Sequence, residues 1–176
     1  MITGKLVRLS AFEKRHLEGT RTWVNQGDLA VFLDRVRPVT ELEHSHWYER
    51  VIGRPDCLFF AVENVSADIA PVHIGNVWLW NIETRHRKAE LRVLIGEASG
   101  QNNGLGTEAI ALLSRFAFER LNLHKVYAYV LKTNPRARKS FEKAGYILEG
   151  ELKQDRWQDG RYVDVDLLAC LAHVRS

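Results

Sequence analysis

Apolar and polar residues alternate over residues 5–10, the pattern of a half-buried strand, and residues 13–25 then carry Leu17, Thr20, Trp23 and Val24 at helical spacing. Thr40 followed by Glu41 and Glu43 predicts an N-cap with acid in the first turn, so a helix is expected to about residue 52, burying Trp47, Val51 and part of Tyr48. Arg54-Pro55-Asp56 ends it. Three β-rich runs follow, at 58–63, 72–82 and 89–95, with one turn expected at 66–68; short connections between successive strands predict an antiparallel meander. After Gly96 a small, polar loop leads into a helix, because Leu105, Ala109, Leu112, Leu113 and Phe116 recur at three- and four-residue steps. Residues 125–131 predict another strand. Asn134 with Pro135 opens a helix that Gly145 closes, and strands at 146–152 and 163–170 follow, with Asp159-Gly160 marking a tight hairpin turn. The expected order is β-α-α-β-β-β-α-β-α-β-β, a mixed α/β chain.

Composition narrows this to a folded globular protein. Of 176 residues, 45% are hydrophobic and 27% charged, which excludes disorder and collagen-like repeats. Four prolines and 12 glycines gather nowhere into a linker, so one domain over 1–176 is expected. Lys and Arg total 25 against 22 Asp and Glu, a net +3 too small to be a whole-molecule nucleic-acid footprint. The start of the chain has no apolar stretch of signal-peptide length and no run reaches the roughly 18 residues of a membrane span, so a cytoplasmic protein without a membrane partner is expected. Cys57 and Cys170 form no CxxC and read as buried thiols; His44 and His46 stand two apart on a helix, facing different ways, and read as surface histidines. No metal is expected.

Residues 95–107 carry the most chemical information. A strand runs into a glycine-bearing loop that opens a helix, and a helix N-terminus presents unpaired N–H groups at the positive end of its dipole, suited to phosphate or pyrophosphate. Gly104 and Gly106 let an anion approach the backbone closely, and Gln101, Asn102 and Asn103 tolerate turn geometry and add donors. The pattern is neither GxxxxGK[ST] nor GxGxxG, so neither a P-loop nor a dinucleotide site is supported. On these residues alone, an anion site and a plain helix start both remain open.

The spacing Gln101-x-x-Gly104-x-Gly106, after a strand and before an amphipathic helix, resembles the acetyl-CoA signature of the GCN5-related N-acetyltransferases. Residues 121–130, 134–146 and Glu149-Gly150-Glu151-Leu152 are similar to the second half of that family's RimJ/RimL-type branch, which includes ribosomal-protein N-terminal, polyamine and amino-sugar acetyltransferases. Leu6-Val7-Arg8-Leu9, Trp23-Val24-Asn25 and His86-Arg87-Lys88-Ala89-Glu90 fit the same branch, so the resemblance covers nearly the whole chain.

The resemblance implies a twisted, mostly antiparallel central sheet of about seven strands, flanked by helices and opening in a V where acetyl-CoA enters. It implies direct transfer of acetyl from acetyl-CoA to a primary amine: a protein N-terminus, a polyamine, an amino sugar or an aminoglycoside-like molecule. It also admits a homodimer. Backbone groups near Val93 and Ile95 would pair with the pantetheine amides as an added strand does, one N–H facing the thioester oxygen as it becomes an oxyanion. Leu105 and Thr107 join the loop's cofactor set, and Asn134 borders the pantetheine arm. Coenzyme A carries phosphates, and residues 132–143 hold Lys132, Arg136, Arg138, Lys139 and Lys143 against Glu142, a local charge of +4 that leaves the remaining chain at −1. Arg136 and Lys139 are assigned to the cofactor; a solvated basic helix face is the alternative, and a nucleic-acid partner loses its support.

An alkyl amine, with a pKa near 10, must lose a proton before it attacks. Glu90, which matches the glutamate of the branch's Ala-Glu motif, is the expected general base, directly or through water. Strand alternation sets Glu90 and Arg92 on one face and Leu91, Val93 and Ile95 on the other, so a plain Glu90–Arg92 ion pair is the competing reading. Phe141, counted with the cofactor set, stands where many relatives place a tyrosine that protonates the leaving thiolate, and phenylalanine cannot donate a proton. Ser140, Tyr127, Tyr129 or water would replace it, or the thiolate leaves unaided. The same substitution keeps open a non-catalytic acyl-CoA-binding sensor of the same fold. Trp78 and Trp80 share a face and, with Trp23 and Trp47, either wall an acceptor pocket that receives Asp28, Asp34 or Glu83, or fill the core.

Overall fold

The structure is a computed structural model and describes residues 1–33, 37–65, 70–96 and 104–172, apart from the side chains at positions 28, 31 and 32. Its elements run β1 (Ile2–Thr3), β2 (Val7–Ala11), α1 (Leu17–Val24), α2 (Gly27–Phe32), α3 (Glu41–Val51), β3 (Cys57–Asn64), β4 (Val72–Glu83), β5 (Lys88–Ile95), α4 (Leu105–Glu119), β6 (Lys125–Leu131), α5 (Pro135–Lys143), β7 (Ile147–Gln158) and β8 (Arg161–Leu171). The strands form one sheet in the order β1-β2-β3-β4-β5-β6-β8-β7. Every neighbouring pair is antiparallel except β5 with β6, which is parallel.

The eighth strand beyond the expected seven or so is β1, whose two residues are too few to show a period. The six-residue α2 is likewise too short for an apolar stripe. The helix expected over 13–25 begins instead as a 3-10 turn at Lys14–His16, because the His16 imidazole accepts from the Glu13 N–H at 3.0 Å and fixes the chain there. Thr40 and Asn134 cap α3 and α5 as their chemistry predicts, accepting from the N–H groups of Glu43 (3.2 Å) and Ala137 (3.0 Å). Asp159 and Gly160, both at positive φ, turn β7 into β8. That hairpin is longer than expected because residues 153–158 carry Trp157 as their one apolar side chain, so no apolar period marks the strand there. The turn expected at 66–68 lies outside the described residues.

Two apolar layers cover the sheet. On one face α4 presses Leu105, Ala109, Ile110 and Leu113 against Leu9, Val77, Leu79 and Leu91. On the other face Trp23, Val24 and Leu29 pack on Leu94. The two faces of β5 therefore meet different environments, as its alternation requires. Glu108, in the first turn of α4, accepts from the N–H groups of Lys5, Leu6 and Val7 at 2.9, 2.7 and 2.7 Å, tying the start of β2 to that helix end.

Candidate active site

The site exists because two strands part. β5 pairs with β4 as far as Ile95, but with β6 only through Lys88–Lys125, Ala89–Val126 and Glu90–Tyr127. Beyond Glu90 the two strands continue without a shared ladder, and a cavity of about 610 Å³ runs through the gap, reaching both faces of the sheet. The V-shaped opening is thus present, and Glu90 lies at its apex.

Register arranges the face of the sheet opposite α4. Cys57, Trp80, Glu90 and Tyr127 form one row across four strands, and Phe59, Trp78 and Arg92 form the next, all on the face opposite α4. Trp78 stacks on Phe59 (ring centres 4.7 Å apart, 17° between planes), Trp47 meets Phe59 edge-on, and His44 stacks on Trp47 at 5.0 Å. Trp47, Trp78 and Trp80 line the cavity, whereas Trp23 belongs to the second core layer. His44 corrects an expectation: it is buried and lines the cavity, because α3 turns that face to the sheet, while His46 is exposed. Of the acids expected here, Glu83 pairs with Lys88 at 3.3 Å away from the cavity lining; Asp34 and the Asp28 side chain are outside what the structure describes.

Glu90 is 5% exposed. Its two oxygens accept from Arg92 Nε at 2.6 Å and Nη2 at 3.0 Å, so the ion pair weighed as an alternative is formed, inside the cavity rather than on an outer surface. The guanidinium carbons of Arg54 and Arg92 lie 4.5 and 5.6 Å from the Trp80 ring centre. Burial, and next the negative charge of Glu90, push the Tyr127 hydroxyl pKa up. Burial likewise lifts the Cys57 thiol to about 11; Cys170, expected buried, is half-buried at the end of β8.

A polar chain below the aromatic wall escaped sequence reasoning. Asn76 Nδ2 donates to Thr20 Oγ1 at 2.9 Å, its Oδ1 meets His73 Nε2 at 3.0 Å, and Thr20 and Asn76 both line the cavity. The one available signal was Asn76, an amide set among the apolar residues at 74–80 of β4.

On the side of the cavity bounded by α4, Gly104 caps that helix with φ +80, and Gly106, Thr107, Val93 and Ile95 line the same cavity. The Leu105 side chain instead points into the core, 2% exposed, so only its backbone is available there. Gln101, Asn102 and Asn103 lie outside the described residues. Asn134, Arg136, Lys139, Phe141 and Lys143 complete that wall. Two of the five cations counted in the basic stretch are tied elsewhere: Lys132 pairs with Glu151, and Arg138 with Glu142 (2.8 Å) and the buried Asp166 (2.5 Å). Sequence counting missed these partners because two of them come from β7 and β8. Phe141 is buried edge-on to Tyr146 at 5.0 Å, while the hydroxyl-bearing Tyr129 and Ser140 line the cavity. Among the described residues no group of three or more His, Cys, Asp or Glu could hold a metal, and no helix is long and apolar enough to cross a membrane.

A parted parallel pair with a glycine-capped helix end and cations around the gap defines a class, and comparison with known proteins agrees with it. A family model described as the acetyltransferase (GNAT) domain matches residues 7–147, and the chain belongs to that family. The chain is 33% identical over 125 residues to spermidine N(1)-acetyltransferase of Vibrio cholerae, covering 71% of this chain and 66% of that protein. It is 34% identical over 99 residues to the Escherichia coli K12 protein of the same name, covering 56% and 53%. The matched stretches thus span about half to just under two thirds of these relatives' lengths. A solved structure of the V. cholerae spermidine N-acetyltransferase with CoA and spermine superposes with a TM-score of 0.84 at 28% identity, covering 96% of each chain.

Proposed function

We propose that the chain is a single-domain N-acetyltransferase that moves an acetyl group from acetyl-CoA to a primary amine. The observation that carries this is Glu90 at the apex of the V, in one cavity with a helix N-terminus and the cations Arg136, Lys139 and Lys143. The backbone of Gly104, Leu105, Gly106 and Thr107, with Gln101, Asn102 and Asn103 of the same loop, is suited to the pyrophosphate. Arg136 and Lys139 suit the remaining phosphate. Val93 and Ile95 offer strand-like backbone to the pantetheine, beside Asn134 and Phe141.

Glu90, directly or through water, takes the amine proton; each of its oxygens keeps a lone pair beyond the Arg92 bond. The amine nitrogen then bonds to the thioester carbon, the C–S bond breaks, and the sulfur gains a proton, giving an N-acetylamine and coenzyme A. Ser140 and Tyr129 put hydroxyl donors on that wall in place of the tyrosine that Phe141 replaces, and a thiol of pKa about 8.5 also leaves unaided. The relatives' names support a polyamine among the acceptor classes. Motifs over residues 121–152 support the RimJ/RimL-type branch, and the absence of a long apolar helix among the described residues is consistent with a cytoplasmic protein. A homodimer belongs to the same proposal; exposed Ile147, Leu148 and Trp157 on the edge strand β7 support it. A sensor that binds acetyl-CoA without turnover is the second reading, favoured by Phe141.

The test is Glu90→Gln. Amine-dependent thiol release falls roughly 100-fold at pH 7, and the loss shrinks as pH approaches the amine pKa. An unchanged pH–rate profile removes Glu90 as the base, and no thiol release by the wild type with any amine leaves the sensor.

A further inference from the structure

The acceptor half of the cavity carries a charge pattern that acetyl transfer alone does not require. Glu90 is the one carboxylate among the described residues that line the cavity, and both its oxygens are engaged by Arg92. A guanidinium has five N–H donors. Two serve Glu90, which leaves three on a side chain that lines the cavity and is 47% exposed. This pair sits on β5 beside Trp80 and the stacked Trp78 and Phe59.

A polycation fits such a wall poorly. Once one amine is neutral and poised to attack, the other ammonium groups of a polyamine meet the positive charge of the Arg92 guanidinium. A molecule that carries an amine and an oxyanion side by side fits both partners. Its amine faces Glu90, its oxyanion takes the remaining donors of Arg92 in the forked geometry that guanidinium favours, and a flat or apolar body rests on the indole wall. We infer that the acceptor is an amine bearing a neighbouring carboxylate or phosphate, and that Arg92 selects it. The inference rests on the acetyl-transfer reading and departs from the spermidine relatives at the acceptor only.

The test uses the full chain with saturating acetyl-CoA and paired acceptors followed by thiol release. L-phenylalanine is set against L-phenylalaninamide, glucosamine 6-phosphate against glucosamine, and spermidine stands as the polycation; the two pairs separate a carboxylate from a phosphate. The oxyanion member of at least one pair exceeds its neutral partner by roughly 10- to 100-fold in kcat/KM, and exceeds spermidine. Arg92→Gln collapses that ratio to about one, and Arg92→Lys, which keeps the charge and loses the fork, restores part of it. Damage to Glu90 alone would lower both members of a pair together and leave their ratio intact. Equal turnover within both pairs, spermidine as the best acceptor, or an unchanged ratio in Arg92→Gln overturns the inference while the enzyme remains an acetyltransferase. Thiol release with none of the five amines but with an N-terminal peptide or an aminoglycoside overturns the inference alone, whereas release with no amine of any class overturns acetyl transfer as well.

Discussion

Glu90 and Arg92 show how two residues of one strand come to differ through their surroundings. The ion pair is buried on its acidic side and open on its basic side, 7% against 47% side-chain exposure, so the carboxylate is held in place while guanidinium donors remain available. At the loop, Gly104 occupies the left-handed region, which L-residues adopt only at a cost, although a Cβ there would meet Leu6 Cδ1 at an ordinary 3.7 Å. Gly104→Val is therefore expected to distort the start of α4 and weaken acetyl-CoA binding at least 10-fold by calorimetry; wild-type affinity would remove the loop from the cofactor site. Below the aromatic wall, burial, then His73 and Arg15, hold the His16 imidazole down at about 4, with Glu63 opposing. Because the folded value lies below the ordinary 6.5, the unfolded chain binds the extra proton first. The stabilising effect is present above pH 6.5 and disappears as pH falls towards 4, a loss of about 3 kcal/mol. Urea unfolding at stepped pH should show this drop in the wild type and a flatter profile in His16→Gln; parallel profiles would contradict it.

The strands and long helices follow the apolar period closely: β6 matches its expected residues 125–131, and α4 starts at Leu105. What stayed illegible was anything set by partners distant in sequence. The divergence of β5 from β6 leaves no mark on either strand, and the resemblance of the glycine loop to a known family supplied it. Trp23, Trp47, Trp78 and Trp80 were visible, but which of them filled a core and which walled a cavity depended on how α1 and α3 lie over the sheet. Gly96 makes the same point at the end of β5: a Cβ there would fall 2.0 Å from Trp23 Cγ, so α1 sits on this strand end only because the residue is glycine. Gly96→Ala is expected to push Trp23 aside and cost about 1–3 kcal/mol of stability, read as a lower urea midpoint with an unchanged slope. An unaltered midpoint would mean that the contact yields freely.

Over the whole molecule, a net charge of +3 conceals an uneven distribution. Lys132 and Arg138 are neutralised by acids from other elements, while Arg136, Lys139 and Lys143 converge on the cavity. Coenzyme A affinity should therefore fall several-fold as ionic strength rises from about 0.05 to about 0.5 M, and Lys139→Ala with Lys143→Ala should flatten that dependence. Equal salt slopes would place the phosphates elsewhere. If one cavity binds acetyl-CoA on one side of β5 and an amine on the other, with Glu90 between them, the wild-type protein incubated with acetyl-CoA releases thiol only when an amine is present. Free coenzyme A and acetylated amine, quantified together across an amine panel, are expected one for one; release without an acetylated product, or no release with any amine, would overturn this arrangement.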